Sequence, residues 1–440
     1  MSTKLENILN LVDEYIADKK SNKKWRPSID VVRYAGDYYS SDEYMRAIKT
    51  LLEGWLVLGK DAQEFEDRFS KLFGKKYGAL TNSGSSANLL MMTAMTSKQL
   101  YDFPQGTKVI VPIAGFPATL TPILQVGFKP IFVDIELDTL NLDLDQVELA
   151  AKESGAKIIT FAHVLGNPPN MDRVMNIVKK YNLILLEDCC DALGSTYDGK
   201  PLGSFGEMAS CSFYPAHHIT MGEGGFVATN TLPQERVIKS FRDWGRACYC
   251  EGKASICATG TCRKRFSNWL DALPNEIVDH KYVYNEIGYN LKPIELQASL
   301  GLAQLDKLEE IIQIRKRNFK LLFNIFSKYE EYFYLPKATE KSDPSWFAFP
   351  LTIKDKAPFN RHKLLQYLEN NKVQTRQYFG GNLMLQPAYS EMVDVNMARD
   401  LYPIATKATI DTFFLGVSPV ITEEQIKYIA EIIETFFNRL

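Results

Sequence analysis

Ser212-Phe-Tyr-Pro-Ala-His-His-Ile-Thr-Met-Gly-Glu-Gly-Gly225 is the stretch whose reading decides the fold. It starts inside a β-rich run, Ser210 to Tyr214, crosses a polar stretch at Pro215 to His218, and closes on the turn Gly222-Glu-Gly-Gly225. Working outward, similar short runs occur at Val109 to Val111, Pro130 to Asp134, Ile158 to Val164 and Leu183 to Asp188, alternating with helical or turn-rich segments. That alternation predicts an α/β fold with a largely parallel sheet. Ligands of such sheets collect beyond the carboxyl ends of strands. Polar residues end two of these runs, at Asp188 and at Pro215 to His218, so the site is expected there.

The rest of the chain fits a large enzyme. At 440 residues and 45% hydrophobic content it has material for two or three domains. Its 51 basic residues nearly balance 53 acidic ones, which excludes a global field for nucleic acid or anionic membrane and leaves a small, locally recognised ligand. Leu5, Ile8, Leu9, Val12, Tyr15 and Ile16 stand at helical spacing, broken by Glu6, Asp13 and Glu14, so the N-terminus predicts an amphipathic helix and not a signal peptide. With no stretch apolar enough to span a bilayer, a cytoplasmic protein is expected. Seven cysteines then point to buried thiols or metal ligands before disulfides. A helical pattern from Glu295 towards Phe319 is long enough to bridge two domains, and Thr422-Glu-Glu announces a closing helix. The expected units are an N-terminal helical arm over 1–50, a large cofactor-binding domain over 51–300, and a small α+β domain over 301–440.

Three local signals agree on one cofactor. Thr81-Asn-Ser-Gly-Ser-Ser86 opens the helix-like run Ala87-Asn-Leu-Leu-Met-Met92, which suits a phosphate held by backbone N–H groups at Gly84 and Ser85, although small polar residues also cap ordinary helices. Asp188 could keep a pyridinium nitrogen protonated and the ring an electron sink. Phe116, in Ala114-Gly-Phe-Pro117, could stack on such a ring or belong to the core.

The stretch 212–225 resembles the cofactor-lysine segment of the sugar aminotransferase and dehydratase family, the DegT/DnrJ/EryC group. Ser83-Gly-Ser85, Ala162-His-Val-Leu-Gly-Asn167, Glu187-Asp188 and Gly288-Tyr-Asn-Leu-Lys292 are similar to further family segments, in order, over most of Leu51 to Leu308. The resemblance implies the aspartate-aminotransferase fold (fold type I), with two-domain subunits dimerising around shared active sites. It implies that Ser85 and Ser212 bind the cofactor phosphate, that Phe116 stacks on the ring, that Asp188 meets its nitrogen, and that Asn290 reaches the phosphate of the neighbouring subunit. Where the family's aminotransferases carry the cofactor lysine, this chain has His217. Imidazole has no primary amine to offer, so the cofactor is expected to be held non-covalently as pyridoxamine 5′-phosphate. A histidine, with an unperturbed pKa of about 6.5, can serve as general base near neutral pH. Asp191 replaces a glutamine beside the cofactor's phenolic oxygen, where a hydrogen bond is expected.

Four cysteines crowd into Cys248-Tyr-Cys-Glu-Gly-Lys-Ala-Ser-Ile-Cys-Ala-Thr-Gly-Thr-Cys262. Spacing alone leaves zinc and iron–sulfur level, since paired Cys-x-x-Cys knuckles and the usual ferredoxin spacings are both missing. Resemblance to the family's lysine-less iron–sulfur 3-dehydrases implies a 2Fe-2S cluster on Cys190, Cys248, Cys250 and Cys262, with Cys257 the rival for the last place. Cys189 and Cys211 are expected to be ordinary buried residues. The same likeness, extending through Asp343-Pro-Ser-Trp-Phe347, implies C3 deoxygenation of a CDP-4-keto-6-deoxyhexose in 3,6-dideoxysugar synthesis for lipopolysaccharide. In it His217 would take the C4′ proton while the C3 hydroxyl leaves, and an NADH-dependent flavin or iron–sulfur reductase would deliver two electrons through the cluster. The alternatives are a cluster-free dehydratase that turns over with glutamate, and a non-catalytic zinc-binding relative.

Overall fold

In the computed structural model, which describes residues 3–21, 24–248, 265–389, 391–392 and 394–440, the apolar runs become seven five-residue strands. They are β1 (Tyr77–Thr81), β2 (Lys108–Pro112), β3 (Lys129–Val133), β4 (Ile158–Ala162), β5 (Ile184–Asp188), β6 (Met208–Ser212) and β7 (Gly225–Thr229). They form one sheet in the order β1-β7-β6-β5-β4-β2-β3. From β6 through β5, β4 and β2 to β3 the pairing is parallel, and β7 is antiparallel to both β6 and β1. Strands buried on both faces need no polar alternation. Val109, Ile158, Leu186 and Met208 therefore pack into one hydrophobic cluster, while their neighbours Ile110, Ile159, Leu185 and Ala209 pack into another on the opposite face.

A second, wholly antiparallel sheet, β8 (Phe333–Tyr334), β9 (Ala348–Ile353), β10 (Arg376–Gln377) and β11 (Thr412–Gly416), follows in the order β8-β9-β11-β10. Phe349 and Leu351 of β9 and Phe413 and Leu415 of β11 pack on Ile426, Ile429 and Ile433 of the helix Glu423–Phe437. That helix begins at the expected Thr422, in a capping box with Gln425. Val32, from before the first sheet, joins this third core and pairs with Val373.

One element departs from the sequence reading. The helix expected from Glu295 towards Phe319 is two, Glu295–Asp306 and Leu308–Phe326, with Lys307 between them at φ −108°, ψ 4°. The Lys307 ammonium is tied to the Glu43 carboxylate and donates to Ser40 Oγ at 3.0 Å. A tertiary tether of this kind leaves no mark on hydrophobic periodicity, because Leu308 and Ile312 continue the apolar pattern across the break. Among the described residues no helix is long and apolar enough to cross a membrane.

The strand that feeds the small-residue loop is anchored by charge. Arg242, fully buried, donates to the Leu80 carbonyl at 3.0 Å and to Glu66 Oε1 at 3.2 Å, while Glu66 also accepts the Leu80 N–H at 2.9 Å. One ion pair thus fixes both backbone groups of a β1 residue. Arg242 is also paired with Asp243 at 2.8 Å, so removing Glu66 strips one of its two carboxylates and orphans the buried Leu80 N–H, which together cost about 3 kcal/mol. Glu66→Ala is expected to lower unfolding free energy by about 3 kcal/mol in denaturant titration; a change under about 1 kcal/mol would show that the pair does not hold β1.

Candidate active site

The carboxyl-terminal residues of four neighbouring strands, Pro112, Ala162, Asp188 and Ser212, line a single cavity of about 580 Å³. Its far wall comes from the second sheet, through Arg376, Gln377 and Phe414, and from Phe347 just before β9. Of the residues singled out in the sequence, Gly84, Ser85, Phe116, Asp188, Cys190, Asp191, Ser212 and His217 all line it.

At one end the helix Gly84–Ala94 begins. Ser83 is its N-cap, accepting the Ser86 N–H at 3.1 Å, so the N–H groups of Gly84 and Ser85 remain as orphan donors of the first turn. Gly84 is there for space: a Cβ at that position would stand 2.4 Å from the Ser212 Cβ. Loop and β6 therefore approach as closely as backbone allows, and helix dipole, N–H groups and the Ser85 and Ser212 hydroxyls make an anion seat.

Asp188 is 4% exposed and gripped from both oxygens. Oδ2 accepts from Asn88 Nδ2 at 2.7 Å and Thr119 Oγ1 at 2.8 Å, and Oδ1 from the Cys190 N–H at 3.1 Å, with Ser210 Oγ 3.3 Å away. Among the described residues no lysine or arginine pairs with it. An aimed carboxylate without its own cation suits a protonated ring nitrogen. Phe116, the N-cap of the helix Pro117–Gln125, is 56% exposed and meets Phe379 edge-on at 6.0 Å, which leaves a ring face open to the cavity. A phosphate seat, a carboxylate and an open aromatic face together fit a pyridine ring carrying a phosphate.

The two adjacent histidines divide their work. His218 is buried and its Nε2–H donates to the Ser345 carbonyl at 2.8 Å, since a carbonyl can only accept. His217 opens on the cavity, with its Nδ1 sealed from water and 3.5 Å from Asp191 Oδ1. Burial, aided by the Arg315 charge, pushes the His217 imidazole down to about 4, so it is neutral and able to take a proton. Burial also pushes the Asp191 carboxyl up to about 7, with Asp188 adding to the effect. No lysine lines the cavity among the described residues.

Arg315, Asn88 and Thr119 were not singled out in the sequence. Arg315 is fully buried on the helix Leu308–Phe326 and donates to the carbonyls of His217 (2.7 Å), Ala216 (3.2 Å), Phe347 (3.0 Å) and Trp346 (3.4 Å). It thereby fastens the turn that bears His217 to the chain entering β9. Asn88 carries a faint signal: it lies four residues after Gly84, on the same helix face, and is polar where its neighbours are apolar.

Two expected residues are not brought to the cavity. Asn290 is exposed, pairs with Asp243 in an isolated bridge and accepts from Lys292 Nζ at 2.8 Å. Cys248 is half-buried, with Sγ 3.8 Å from His280 Nε2. Cys250, Cys257 and Cys262 lie outside the described residues. Cys189 and Cys211 are buried, as expected. Among the described residues the one metal-like trio is His163, Glu187 and Cys189, within 4.8 Å of one another. Glu187 is already occupied there, accepting from the Gly203 and Gly206 N–H groups and facing His163 Nε2 at 3.0 Å, so the trio braces loops under the sheet.

Known proteins share this frame. The chain is 43% identical over 435 residues, 98% of each chain, to the lipopolysaccharide biosynthesis protein RfbH of Salmonella typhimurium. It is 42% identical over 407 residues, 92% of this chain and 86% of the relative, to dTDP-4-dehydro-2,6-dideoxy-D-glucose 3-dehydratase of Saccharopolyspora spinosa. A solved structure of Escherichia coli GDP-4-keto-6-deoxy-D-mannose-3-dehydratase with bound hydrated PLP superposes with a TM-score of 0.80 at 28% identity, covering 92% of this chain and 99% of that one. The aspartate-aminotransferase fold expected from the sequence is thus the fold observed. The model of the DegT/DnrJ/EryC1/StrS aminotransferase family matches residues 38–434, and the chain belongs to that family.

Proposed function

We propose that this chain is a nucleotide-sugar 3-dehydratase that works without a cofactor lysine, on a CDP-4-keto-6-deoxyhexose in 3,6-dideoxysugar synthesis for lipopolysaccharide O-antigen. The observation that carries this reading is His217: it stands on the turn beyond β6, faces the cavity, and has no lysine beside it there among the described residues. Relatives named as 3-dehydratases of nucleotide-linked keto sugars support it.

Pyridoxamine 5′-phosphate, when bound, would supply a primary amine and an electron-withdrawing ring. The chain's own residues would do the rest. The N–H groups of Gly84 and Ser85, with the Ser85 and Ser212 hydroxyls, would seat its phosphate, Asp188 its ring nitrogen and Phe116 its ring face; Asp191 would reach its phenolic oxygen. Neutral His217 would accept the proton at C4′. Expelling the C3 hydroxyl as water and replacing it with hydrogen consumes two electrons and two protons. We assign the electrons to an NADH-dependent flavin or iron–sulfur reductase, relayed by a 2Fe-2S cluster on Cys190, Cys248, Cys250 and Cys262, with Cys257 as the rival fourth ligand. Thiolates are the ligands such clusters require, and Cys190 supports the relay by its place: it follows Asp188 by two residues and lines the cavity. Asn290, exposed outside the cavity, fits a residue offered to a second subunit of a homodimer. The units 1–50, 51–300 and 301–440 and a cytoplasmic location belong to the same reading.

A cluster-free dehydratase is the second reading. The observation favouring it is a similar structure, 27% identical with a TM-score of 0.78, of GDP-4-keto-6-deoxymannose-3-dehydratase with a trapped PLP-glutamate geminal diamine.

Two variants separate the roles. His217→Asn is expected to bind cofactor normally yet lose C4′ proton exchange by about a hundredfold or more; unchanged exchange would move the base elsewhere. Cys248→Ser is expected to keep that exchange while losing iron, the electron paramagnetic resonance signal of the reduced cluster, and NADH-dependent 3-deoxy product. Stoichiometric zinc in the parent protein, or full reductive turnover in the variant, would refute the relay.

A further inference from the structure

We infer that Arg376, laid against Tyr34, binds the diphosphate of the sugar nucleotide and anchors the end of the substrate that does not react. The inference rests on the nucleotide-sugar reading above and names the group of this chain that serves it.

Charge leads to it. The charged side chains among the described residues that line the cavity are Asp188, Asp191, Glu223 and Arg376. Two anionic groups have to enter the same space, the cofactor phosphate and the substrate diphosphate. The first has a seat that needs no side-chain cation, the N-terminus of the helix Gly84–Ala94. The second would meet three carboxylates and one guanidinium. Among these described groups only the guanidinium can attract it, and its planar fork matches phosphate oxygens in pairs.

Arg376 is placed for that task and not spent on another. It lies on the edge strand β10 of the second sheet, and its side chain is exposed towards the cavity mouth. One guanidinium nitrogen, Nη1, donates to the neighbouring Thr375 carbonyl at 2.8 Å, and no carboxylate pairs with the group among the described residues. Its carbon stands 4.3 Å from the centroid of the Tyr34 ring, a cation–π contact that holds the guanidinium without using its other N–H groups.

Tyr34 in turn is held by backbone. Val32 N–H donates to the Lys372 carbonyl at 2.8 Å, Gln374 N–H to the Val32 carbonyl at 3.0 Å, and the Tyr34 N–H to Gln374 Oε1 at 3.2 Å. The Tyr34 ring meets Phe414 edge-on at 6.3 Å. A segment from before the first sheet is thus pinned beside β10, which makes Tyr34 a positioning residue for Arg376.

Calorimetric binding of CDP, dTDP and GDP to cofactor-loaded enzyme tests this, with cytidine as the phosphate-free control. Parent enzyme is expected to bind CDP, and Arg376→Gln to weaken CDP about tenfold or more while leaving cofactor content and cytidine binding unchanged. Arg376→Lys, which keeps charge but not the fork, is expected to fall between them, and serves if the glutamine variant does not load cofactor. Tyr34→Ala should weaken CDP in the same direction and Tyr34→Phe should not. CDP affinity unchanged in both Arg376 variants would overturn the inference while leaving the nucleotide-sugar reading intact. Failure of the parent enzyme to bind any of the three nucleoside diphosphates would overturn that reading, and the inference with it.

Discussion

A single buried guanidinium joins the parts of this molecule that have to act together. Arg315 is 1% exposed and has no carboxylate partner among the described residues, yet it holds four carbonyls, two on the His217 turn and two on the chain entering β9. Burying a lone charge is unfavourable, and burial lowers the Arg315 guanidinium to about 9, which still leaves it protonated at neutral pH. The charge has two consequences for chemistry. It fixes the turn on which His217 stands, and it adds to the burial that keeps His217 neutral. In the proposed reaction, a base that is already deprotonated and held in place would stand where a lysine would have supplied a tether.

Losing that tether changes what the cavity must do. A covalently attached cofactor can be held loosely by its other contacts; one that is not attached has to be held by all of them. Under the proposed reading, the crowding around Gly84, the donors on Asp188 and the open face of Phe116 would answer that need from three directions. Asn88 and Ser210 extend the grip, for Asn88 Oδ1 accepts from the Ser210 hydroxyl while Nδ2 donates to Asp188. Each partner of the ring is thus itself partnered, as preorganised sites require.

Much of this could be read in the sequence because it is local. Strand runs such as Ile184-Leu-Leu-Glu-Asp188 carry their own burial pattern, and ligands of parallel sheets collect where strands stop, so the addresses of Asp188, Ser212 and the Gly84-Ser85 turn pointed to the cavity they line. What escaped depends on distant partners. Arg315 sits among the charged residues of a helix, and nothing nearby in sequence says that its side chain turns inward to meet Ala216 and Phe347. The break at Lys307 answers to Glu43, and Arg376 acquires its meaning from Tyr34, more than three hundred positions away in the sequence. Asn290 was identified from a motif, but its exposed position gives it a role only if another surface meets it.

The central claim is that catalysis here runs without a lysine on the cofactor, and borohydride reduction of anaerobically purified holoenzyme, followed by proteolysis and mass spectrometry, tests it most directly. The proposal predicts that no peptide carries a pyridoxyl group on lysine and that the cofactor is recovered free, because His217 lines the cavity and no lysine does so among the described residues. A stoichiometric pyridoxyl-lysine anywhere in the chain would contradict it.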